Sequence, residues 1–337
     1  MKYVAYDAPG DAGVLHVAEM RKPNAGAGEV VIAVRAAGVS RADVLQRRGL
    51  YPPPAGVSPV LGLEVAGNVA EVGSGVSQWR PGDDVCALCN GGGYAQYVSV
   101  PQGQVLPIPD RWSAIEAATL PENAFTVYDN VFTRARLAPG ETIVVHGGTS
   151  GIGTTAIMFA TALGSQTIAT AGNDAKCRAC VQLGAIAAIN YTTTDFVSEV
   201  LRLTENCGTD VVLDIVGGDY IPRDLQCLAL DGRVACIALQ RGRTTELDLG
   251  VLLAKRATLL GSHLRARTAA QKADIAQRLR DRIWPLLPAR TAIVPVVDAV
   301  YPFERAAEAH ARLEEGAHIG KIILTFSDIS IGAGRSP

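Results

Sequence analysis

The middle of the chain alternates between short apolar runs and helix-like stretches. Strands that are apolar on both faces and recur every 20 to 25 residues are typical of a doubly wound parallel sheet. The helix-like stretches cover residues 154–163, 174–183 and 195–204. Six Val-, Ile- and Ala-rich runs begin near Glu141, Gln166, Ile186, Asp210, Arg233 and Ala257. The sequence therefore predicts an α/β fold with six parallel strands, as in a complete dinucleotide-binding domain.

The first 123 residues have a different pattern. Gly and Pro recur at short intervals between alternating segments such as 29–35 and 95–100, which predicts a compact, mostly antiparallel β domain. An amphipathic helix is expected at 269–287, followed by short strand and helix signals, and the tail at 327–337 is expected to fray. We therefore predict one domain from residues 1–123 and 265–337, and a dinucleotide-binding domain from 124–264.

Composition excludes several classes of protein. The 337 residues are 48% hydrophobic and 19% charged, as in ordinary globular proteins, and the net charge of −2 argues against a dedicated nucleic-acid binder. The uncharged stretch 142–173 contains six glycines, so we expect a buried strand, turn and helix there and no membrane span. Seven irregularly spaced cysteines and the lack of a signal-peptide pattern favour a reducing cytosol, and hence a cytoplasmic protein.

A glycine-rich turn follows the first parallel strand. Glycines at such a turn let the backbone approach a pyrophosphate, whose charge then lies at the N-terminus of a helix. The spacing differs from the usual G-x-G-x-x-G, and the turn alone could be a simple strand-to-helix connection. Its place at the start of a six-strand rhythm favours a cofactor site. The candidate cofactor-binding residues are Gly148, Thr149, Ser150, Gly151 and Ile152.

The residues at the end of the second strand distinguish NADPH from NADH, because they contact the 2′ position of the ribose. That strand ends at Gly172 and Asn173 without an acidic residue, and Lys176 and Tyr191 could reach a 2′-phosphate. We therefore expect NADPH. Asp174 leaves an alternative open, because it is either a ribose ligand that would favour NADH or a first-turn acid stabilised by the helix dipole.

The cysteines and histidines of the sequence do not have the spacing of a metal site. Cys86 and Cys89 form a C-x-x-C without a second pair, and Cys177 and Cys180 have the spacing of residues that pack on one helix face. The five histidines are scattered and have no ligand spacing. We expect a metal-free protein.

Several segments resemble one known family. They include residues 37–54 (AGVSRADVLQRRGLYPPP), 61–67 (LGLEVAG), 91–97 (GGGYAQY), the glycine turn, 189–191, 214–218 and 319–324. Together they resemble the zinc-independent quinone oxidoreductase branch of the medium-chain dehydrogenase/reductase superfamily. The resemblance runs essentially from end to end.

This resemblance implies a GroES-like catalytic domain beside a Rossmann-type domain, NADPH as cofactor and a quinone as substrate. It adds cofactor contacts at Ser40, Thr126, Gly217, Leu239, Leu264 and Lys321. Zinc enzymes of the superfamily carry cysteine where Ser40 stands and histidine where Leu63 stands, so both zinc positions are lost. Many members have Asn at the position of Ser40, which puts the contact there in doubt, and the stretch 239–242 replaces a more glycine-rich turn.

The mechanism follows from the missing zinc. Alcohol oxidation would lack its Lewis acid, whereas hydride addition to a quinone needs an electron-poor acceptor and a proton or hydrogen-bond donor. Tyr51, on a Tyr-Pro-Pro-Pro loop, is the candidate catalytic donor, or else an aromatic wall of the pocket. The alternative activity is an NADPH-dependent enoyl or alkenal double-bond reductase.

A basic segment and an apolar edge strand concern the molecules to which this protein binds. Seven basic residues between Arg265 and Arg290 would suit a solvated helix face, and a crystallin-like or RNA-binding side role is the non-enzymatic alternative. The apolar edge strand near Leu259 predicts a homodimer, because an unprotected strand edge normally needs a partner and relatives pair this edge across a two-fold.

Overall fold

A computed structural model describes residues 1–326, so the tail 327–337, which was expected to fray, lies outside the described residues. The chain divides into two compact units. Among the described residues, the β unit consists of Met1–Glu122, Ala269–Ala276 and residues 297–326. The parallel-sheet unit consists of Asn123–Thr268 and Gln277–Val296.

The strands and helices are numbered along the chain. The strands are β1 (Lys2–Ala5), β2 (His16–Glu19), β3 (Glu29–Val39), β4 (Glu64–Val72), β5 (Asp84–Leu88), β6 (Tyr97–Pro101), β7 (Val105–Pro107), β8 (Thr142–Val145), β9 (Gln166–Ala171), β10 (Ala187–Asn190), β11 (Thr209–Asp214), β12 (Leu228–Cys236), β13 (Thr258–Gly261), β14 (Val297–Pro302) and β15 (Lys321–Thr325). The α-helices are α1 (Arg41–Arg47), α2 (Ala114–Ala117), α3 (Pro121–Val127), α4 (Gly151–Ala162), α5 (Asp174–Gln182), α6 (Phe196–Leu203), α7 (Tyr220–Cys227), α8 (Leu249–Lys255), α9 (Ala269–Arg282) and α10 (Ala306–Glu314). A π-helix, Tyr128–Arg134, continues α3.

The parallel-sheet unit contains the six predicted strands. Their order across the sheet is β10-β9-β8-β11-β12-β13, and every neighbouring pair is parallel. Val144, Ile168, Val212 and Val234 are all 0% exposed, which explains why the strands are apolar throughout. The predicted doubly wound fold is confirmed. The order changes direction beside β8, where such folds bind their ligands.

The β unit is built around the long strand β3. Its main sheet has the order β14-β15-β3-β4-β5-β7, with β6 also paired to β3, and all pairs except β14–β15 are antiparallel. Bulges in the β3–β4 pairing, between Val31 and Ile32 and between Val34 and Ala36, bend the sheet. The predicted mostly antiparallel domain is also confirmed.

The two units differ in outline from the domains expected from sequence. Residues 277–296, expected in the first domain, cluster with the parallel-sheet unit. Ile283 and Leu287 are buried, and the backbone N–H of Val294 lies 3.4 Å from Met158 Sδ of α4. Side-chain packing rather than chain order therefore decides where this segment belongs. No helix within residues 1–326 is both long and apolar enough to span a bilayer.

Candidate cofactor and active site

The glycine turn joins β8 to α4 and has no room for side chains. A methyl group on Gly148 would lie 2.7 Å from Cys180 Sγ and 2.8 Å from Ala169 Cβ, and one on Gly153 would lie 2.3 Å from the carbonyl oxygen of Gly147. Ser150 caps α4, since its Oγ accepts a hydrogen bond from Gly153 N at 3.0 Å. The remaining N–H groups of the first helical turn can therefore bind an anion.

A buried histidine, His146, lies between β8 and the glycine turn, and the sequence analysis gave it no role. His146 is 0% exposed; its Nε2 lies 2.8 Å from Asp224 Oδ1 and its Nδ1 lies 3.0 Å from Thr170 Oγ1. The rings of Phe196 and Tyr220 meet it edge-on at 4.8 and 5.0 Å. Burial raises the pKa of Asp224 to about 6, although the neighbouring His146 opposes the shift. A histidine ending a buried, uncharged strand was the signal that could have identified it.

The second strand brings together four predicted residues. Asn173 caps α5 by accepting a hydrogen bond from Lys176 N at 2.9 Å. A methyl group on Gly172 would lie 2.9 Å from the Tyr191 hydroxyl oxygen, so Tyr191 lies at the same strand end and is 46% exposed. Asp174 is in the first turn of α5 and accepts a hydrogen bond from Asn190 at 2.7 Å. These contacts give Asp174 a local structural role.

The loop after β11 holds two further predicted residues. The Asp214 carboxylate accepts hydrogen bonds from Val216 N at 2.5 Å and Gly217 N at 2.9 Å, which fixes the loop. Burial raises the pKa of Asp214, while these backbone donors lower it. Gly217 has φ +68°, and a methyl group there would lie 2.9 Å from Leu239 Cδ2. Gly217 and Leu239 are thus neighbours in the structure, although they are far apart in the sequence.

Thr126 lies near the end of α3, where the π-helix begins. The side chain is 8% exposed, and its hydroxyl has no hydrogen-bond partner within the described part of the chain. Asn130 donates to the Thr126 carbonyl at 2.9 Å and accepts from Ser262 Oγ at 2.6 Å. The segment carrying Leu264 is therefore attached to the π-helix next to Thr126. A buried hydroxyl without a partner is what a bound ligand would satisfy.

In the β unit, Ser40 caps α1. Its Oγ donates to Asp43 Oδ2 at 2.9 Å and accepts from Asp43 N at 3.3 Å, while Asp43 Oδ1 accepts from Gly62 N at 2.9 Å. Burial raises the pKa of Asp43, and the backbone donors of Gly62 and Ser40 lower it. Ser40 is 6% exposed. Tyr51 lies in the irregular loop after α1 and is partly exposed.

Lys321 forms a buried ion pair that the sequence did not predict. Its ammonium lies 2.5 Å from Glu64 Oε1, and Glu64 Oε2 accepts from Glu122 N at 2.9 Å. Burial alone would lower the pKa of Lys321, but the carboxylate of Glu64 raises it. Because this ammonium is engaged with Glu64, we leave Lys321 out of the cofactor site proposed below.

Comparison with known proteins identifies the family. Residues 26–110 match the alcohol dehydrogenase GroES-like domain, and residues 151–279 match the zinc-binding dehydrogenase family. The chain is 31% identical over 321 residues to the human synaptic vesicle membrane protein VAT-1 homolog, which covers 90% of this chain and 80% of that protein. It is 29% identical over 301 residues to rat quinone oxidoreductase, with 88% of each chain covered. The chain belongs to the medium-chain dehydrogenase/reductase superfamily of oxidoreductases, and the resemblance found in the sequence is confirmed.

A longer relative and two solved structures complete the comparison. A phenolphthiocerol/phthiocerol polyketide synthase of Mycobacterium tuberculosis is 31% identical over 321 residues, yet this chain spans only 14% of its length. Escherichia coli quinone oxidoreductase complexed with NADPH superposes with a TM-score of 0.84 at 28% identity, covering 97% of this chain and all of the other. The CurK enoyl reductase does so with a TM-score of 0.84 at 26% identity, covering 97% and 99%.

The name of the second matching family implies zinc, but the residues present do not suit it. Ser40 is hydrogen-bonded to Asp43, and Leu63 offers no ligand atom. Within residues 1–326, no group of three or more His, Cys, Asp or Glu side chains is close enough to hold a metal ion. Cys86 and Cys89 are buried, and burial raises the pKa of both thiols, which opposes the thiolate form that binds zinc.

Proposed function

We propose that the chain is a zinc-independent NADPH:quinone oxidoreductase. The observation that carries this proposal is the pair Ser40 and Leu63, which leaves no metal ligands where the zinc enzymes of the superfamily have cysteine and histidine. Without a Lewis acid to stabilise an alkoxide, the favoured substrate is one that is already electron-poor. Quinones have that property, and quinone oxidoreductases are among the relatives and structural neighbours.

The proposed cofactor site lies mainly in the parallel-sheet unit. The glycine turn with Gly148, Thr149, Ser150, Gly151 and Ile152 would hold the pyrophosphate at the N-terminus of α4. Lys176 and Tyr191, beside Gly172 and Asn173, would bind the 2′-phosphate that distinguishes NADPH. Further contacts are proposed at Thr126, Gly217, Leu239 and Leu264, and at Ser40 in the β unit. NADPH, when bound, supplies a hydride to the acceptor.

Tyr51 is the proposed catalytic donor. A neutral phenol, with an ordinary pKa of about 10, can donate a hydrogen bond to the charge that develops on a quinone oxygen at neutral pH. Its position beside three consecutive prolines limits the motion of the loop that carries it. The proton that completes reduction at that oxygen would then arrive along an existing hydrogen bond.

A substrate panel tests the function. Steady-state rates with NADPH and with NADH are measured for 1,2- and 1,4-quinones, 2-alkenals and enoyl thioesters. We expect quinone turnover with preference for NADPH. Turnover of alkenals or enoyl thioesters without quinone turnover would instead establish a double-bond reductase, which the CurK enoyl reductase and the polyketide synthase relative favour. Preference for NADH would show that Asp174 binds ribose.

The variant Tyr51→Phe tests the donor. It keeps the ring and removes only the hydroxyl, so kcat and kcat/KM should fall together by about tenfold to a hundredfold, as for a lost oxyanion contact. Tyr51→Ala is the comparison, because a pocket wall would tolerate Phe and respond chiefly in KM to Ala. An unchanged kcat for Tyr51→Phe, with a full isotope effect from deuterated NADPH, would contradict the assignment.

We also propose a cytosolic homodimer. All seven cysteines are free thiols, which suits a reducing compartment. β13 ends the parallel sheet, and its Leu259 is 43% exposed, close in sequence to the exposed Leu249 and Leu253 of α8. Apolar strand edges of this kind are normally covered by a partner. Sedimentation of the purified protein at assay concentration would show a monomer if this proposal were wrong.

A further inference from the structure

A chain of hydrogen bonds crosses the interior of the β unit from α10 to α1. Arg47 Nη1 lies 3.2 Å from His310 Nδ1, His310 Nε2 lies 3.1 Å from the Tyr94 hydroxyl, and that hydroxyl lies 3.3 Å from Asp43 Oδ2. Arg47, Tyr94 and His310 are 0% exposed and Asp43 is 1% exposed. Arg47 also makes two hydrogen bonds to Glu314, at 2.9 and 3.0 Å, which anchor the far end of the chain.

The donor and acceptor atoms of these residues fix which partner donates each hydrogen bond between Arg47 and Asp43. A guanidinium has only donors, so His310 Nδ1 must accept from Arg47. The hydrogen of the neutral imidazole is then on Nε2 and is donated to the Tyr94 oxygen. Burial and the charge of Arg47 lower the pKa of His310 to about 3, which keeps the ring neutral. Tyr94 therefore donates its own hydrogen to Asp43.

Asp43 receives four hydrogen bonds from residues that the structure describes. Besides Tyr94, the donors are Gly62 N at 2.9 Å, Ser40 N at 2.9 Å and Ser40 Oγ at 2.9 Å. Burial raises the pKa of Asp43, and these donors oppose that shift because each of them favours the charged carboxylate. Because an ionised Asp43 holds the Ser40 hydrogen, the Ser40 oxygen presents only a lone pair to any other partner.

We infer that Arg47, His310 and Tyr94 are positioning residues that keep Asp43 ionised and thereby fix Ser40 as a hydrogen-bond acceptor toward the bound ligands. The matching ligand group is a hydrogen-bond donor. A quinone oxygen only accepts, so it must take its hydrogen bond elsewhere, as proposed for Tyr51. This inference rests on the proposed function.

Other charged groups also face Asp43. Lys321 on β15 lowers the pKa of Asp43, and Asp43 in turn raises the pKa of Glu64 on β4 and of the Cys89 thiol after β5. Substitution of Tyr94 leaves all of these groups in place. A change in the protonation of Asp43 in such a variant would therefore report the loss of the Tyr94 hydrogen bond.

The variant Tyr94→Phe tests the inference through the pH profile. Losing a donor to a charged group should move the acid limb of kcat/KM upward by about one to two pH units, because a protonated Asp43 donates to Ser40 and turns Ser40 into a donor. The KM for NADPH should rise at low pH, while kcat changes less. Tyr97→Phe on β6 is the matched control, because the ring of Tyr97 lies against Lys22 and Tyr97 is not among the residues that link Arg47 to Asp43 by hydrogen bonds. His310→Gln retains an N–H donor for Tyr94 and should keep the wild-type profile.

A second measurement is independent of turnover. The carboxyl carbon of Asp43, assigned with Asp43→Asn, is titrated by carbon-13 NMR in wild type and Tyr94→Phe. We expect Asp43 to titrate about one to two pH units higher in the variant. If Tyr94→Phe does not fold, His310→Leu takes its place, because it frees Tyr94 to turn away from Asp43. An unchanged Asp43 titration overturns the inference, whereas an enzyme that reduces no quinone or alkene overturns only the proposed function.

Discussion

Two fully buried histidines, one in each unit, have opposite environments. His146, under the glycine turn of the parallel-sheet unit, faces the carboxylate of Asp224 and the hydroxyl of Thr170. His310, in the β unit, faces the guanidinium of Arg47 and the hydroxyl of Tyr94. The same side chain at the same burial can thus lie beside a carboxylate, as His146 does, or beside a cation that disfavours the charged ring, as His310 does. In the β unit the group with the shifted pKa is the histidine itself, whereas in the parallel-sheet unit it is the acid beside the histidine, Asp224.

The largest expected effect comes from His310→Gln. The pKa of His310 in the fold is about 3, below its ordinary value of 6.5, so the wild type loses stability as pH falls through this window. Gln does not titrate, so the variant should lose about 3 kcal/mol less unfolding free energy between pH 7 and pH 4 than the wild type does. Urea unfolding followed by circular dichroism at both pH values measures the difference. Equal losses in the two proteins would show that His310 is not held neutral.

Asp224→Asn should have the opposite sign and a somewhat smaller size. Burial raises the pKa of Asp224 from 3.8 to about 6, so the fold binds this proton more tightly than the unfolded chain does. The contribution of Asp224 is present at low pH and is lost as pH rises through 6. Asn keeps an acceptor for His146 and removes the titration. The same urea experiment measures the unfolding free energy of the variant minus that of the wild type. This difference should be about 2 kcal/mol more favourable to the variant at pH 7 than at pH 4. A difference of the reverse sign would mean that Asp224 stays ionised.

The smallest expected effect is on the unfolding free energy of two threonine variants in β9. Thr170→Val removes the hydroxyl next to His146 Nδ1 and should cost about 1 kcal/mol of unfolding free energy. Thr167 is the matched control, because it is also buried on β9 and its hydroxyl has no partner among the described residues. Thr167→Val should therefore be neutral or slightly stabilising. Equal costs for the two variants would show that the His146–Thr170 contact contributes nothing.

The parallel-sheet unit could be predicted closely from the sequence. The apolar runs beginning near Glu141 and Gln166 became β8 and β9, and the helix expected from 174 to 183 is α5, Asp174–Gln182. Each of these elements depends on local signals: buried strands, a capping residue and a glycine turn. The residues predicted around that turn and around Asn173 accordingly lie close together.

Contacts distant along the chain could not be predicted in this way. The pairing of Arg47 with His310 and of Glu64 with Lys321 joins residues more than 250 positions apart. No local pattern carries such information, and the sequence therefore suggested a cofactor contact for Lys321 and left His310 unassigned. The π-helix at 128–134 was missed as well, because its hydrogen-bond register has no composition signal of its own.

The order of strands in the β unit has a consequence for synthesis on the ribosome. Residues 36–39 of β3 pair with β15, with Gly38 opposite Ile323, so this part of one edge of β3 stays open until almost the whole chain has been made. The six strands of the parallel sheet lie within residues 142–261 and emerge earlier. Because domains tend to fold as their residues become available, we expect the parallel sheet to form first and the nascent β unit to expose an unpaired apolar strand meanwhile. An exposed apolar strand of this kind is prone to aggregation until β15 has been made and pairs with it.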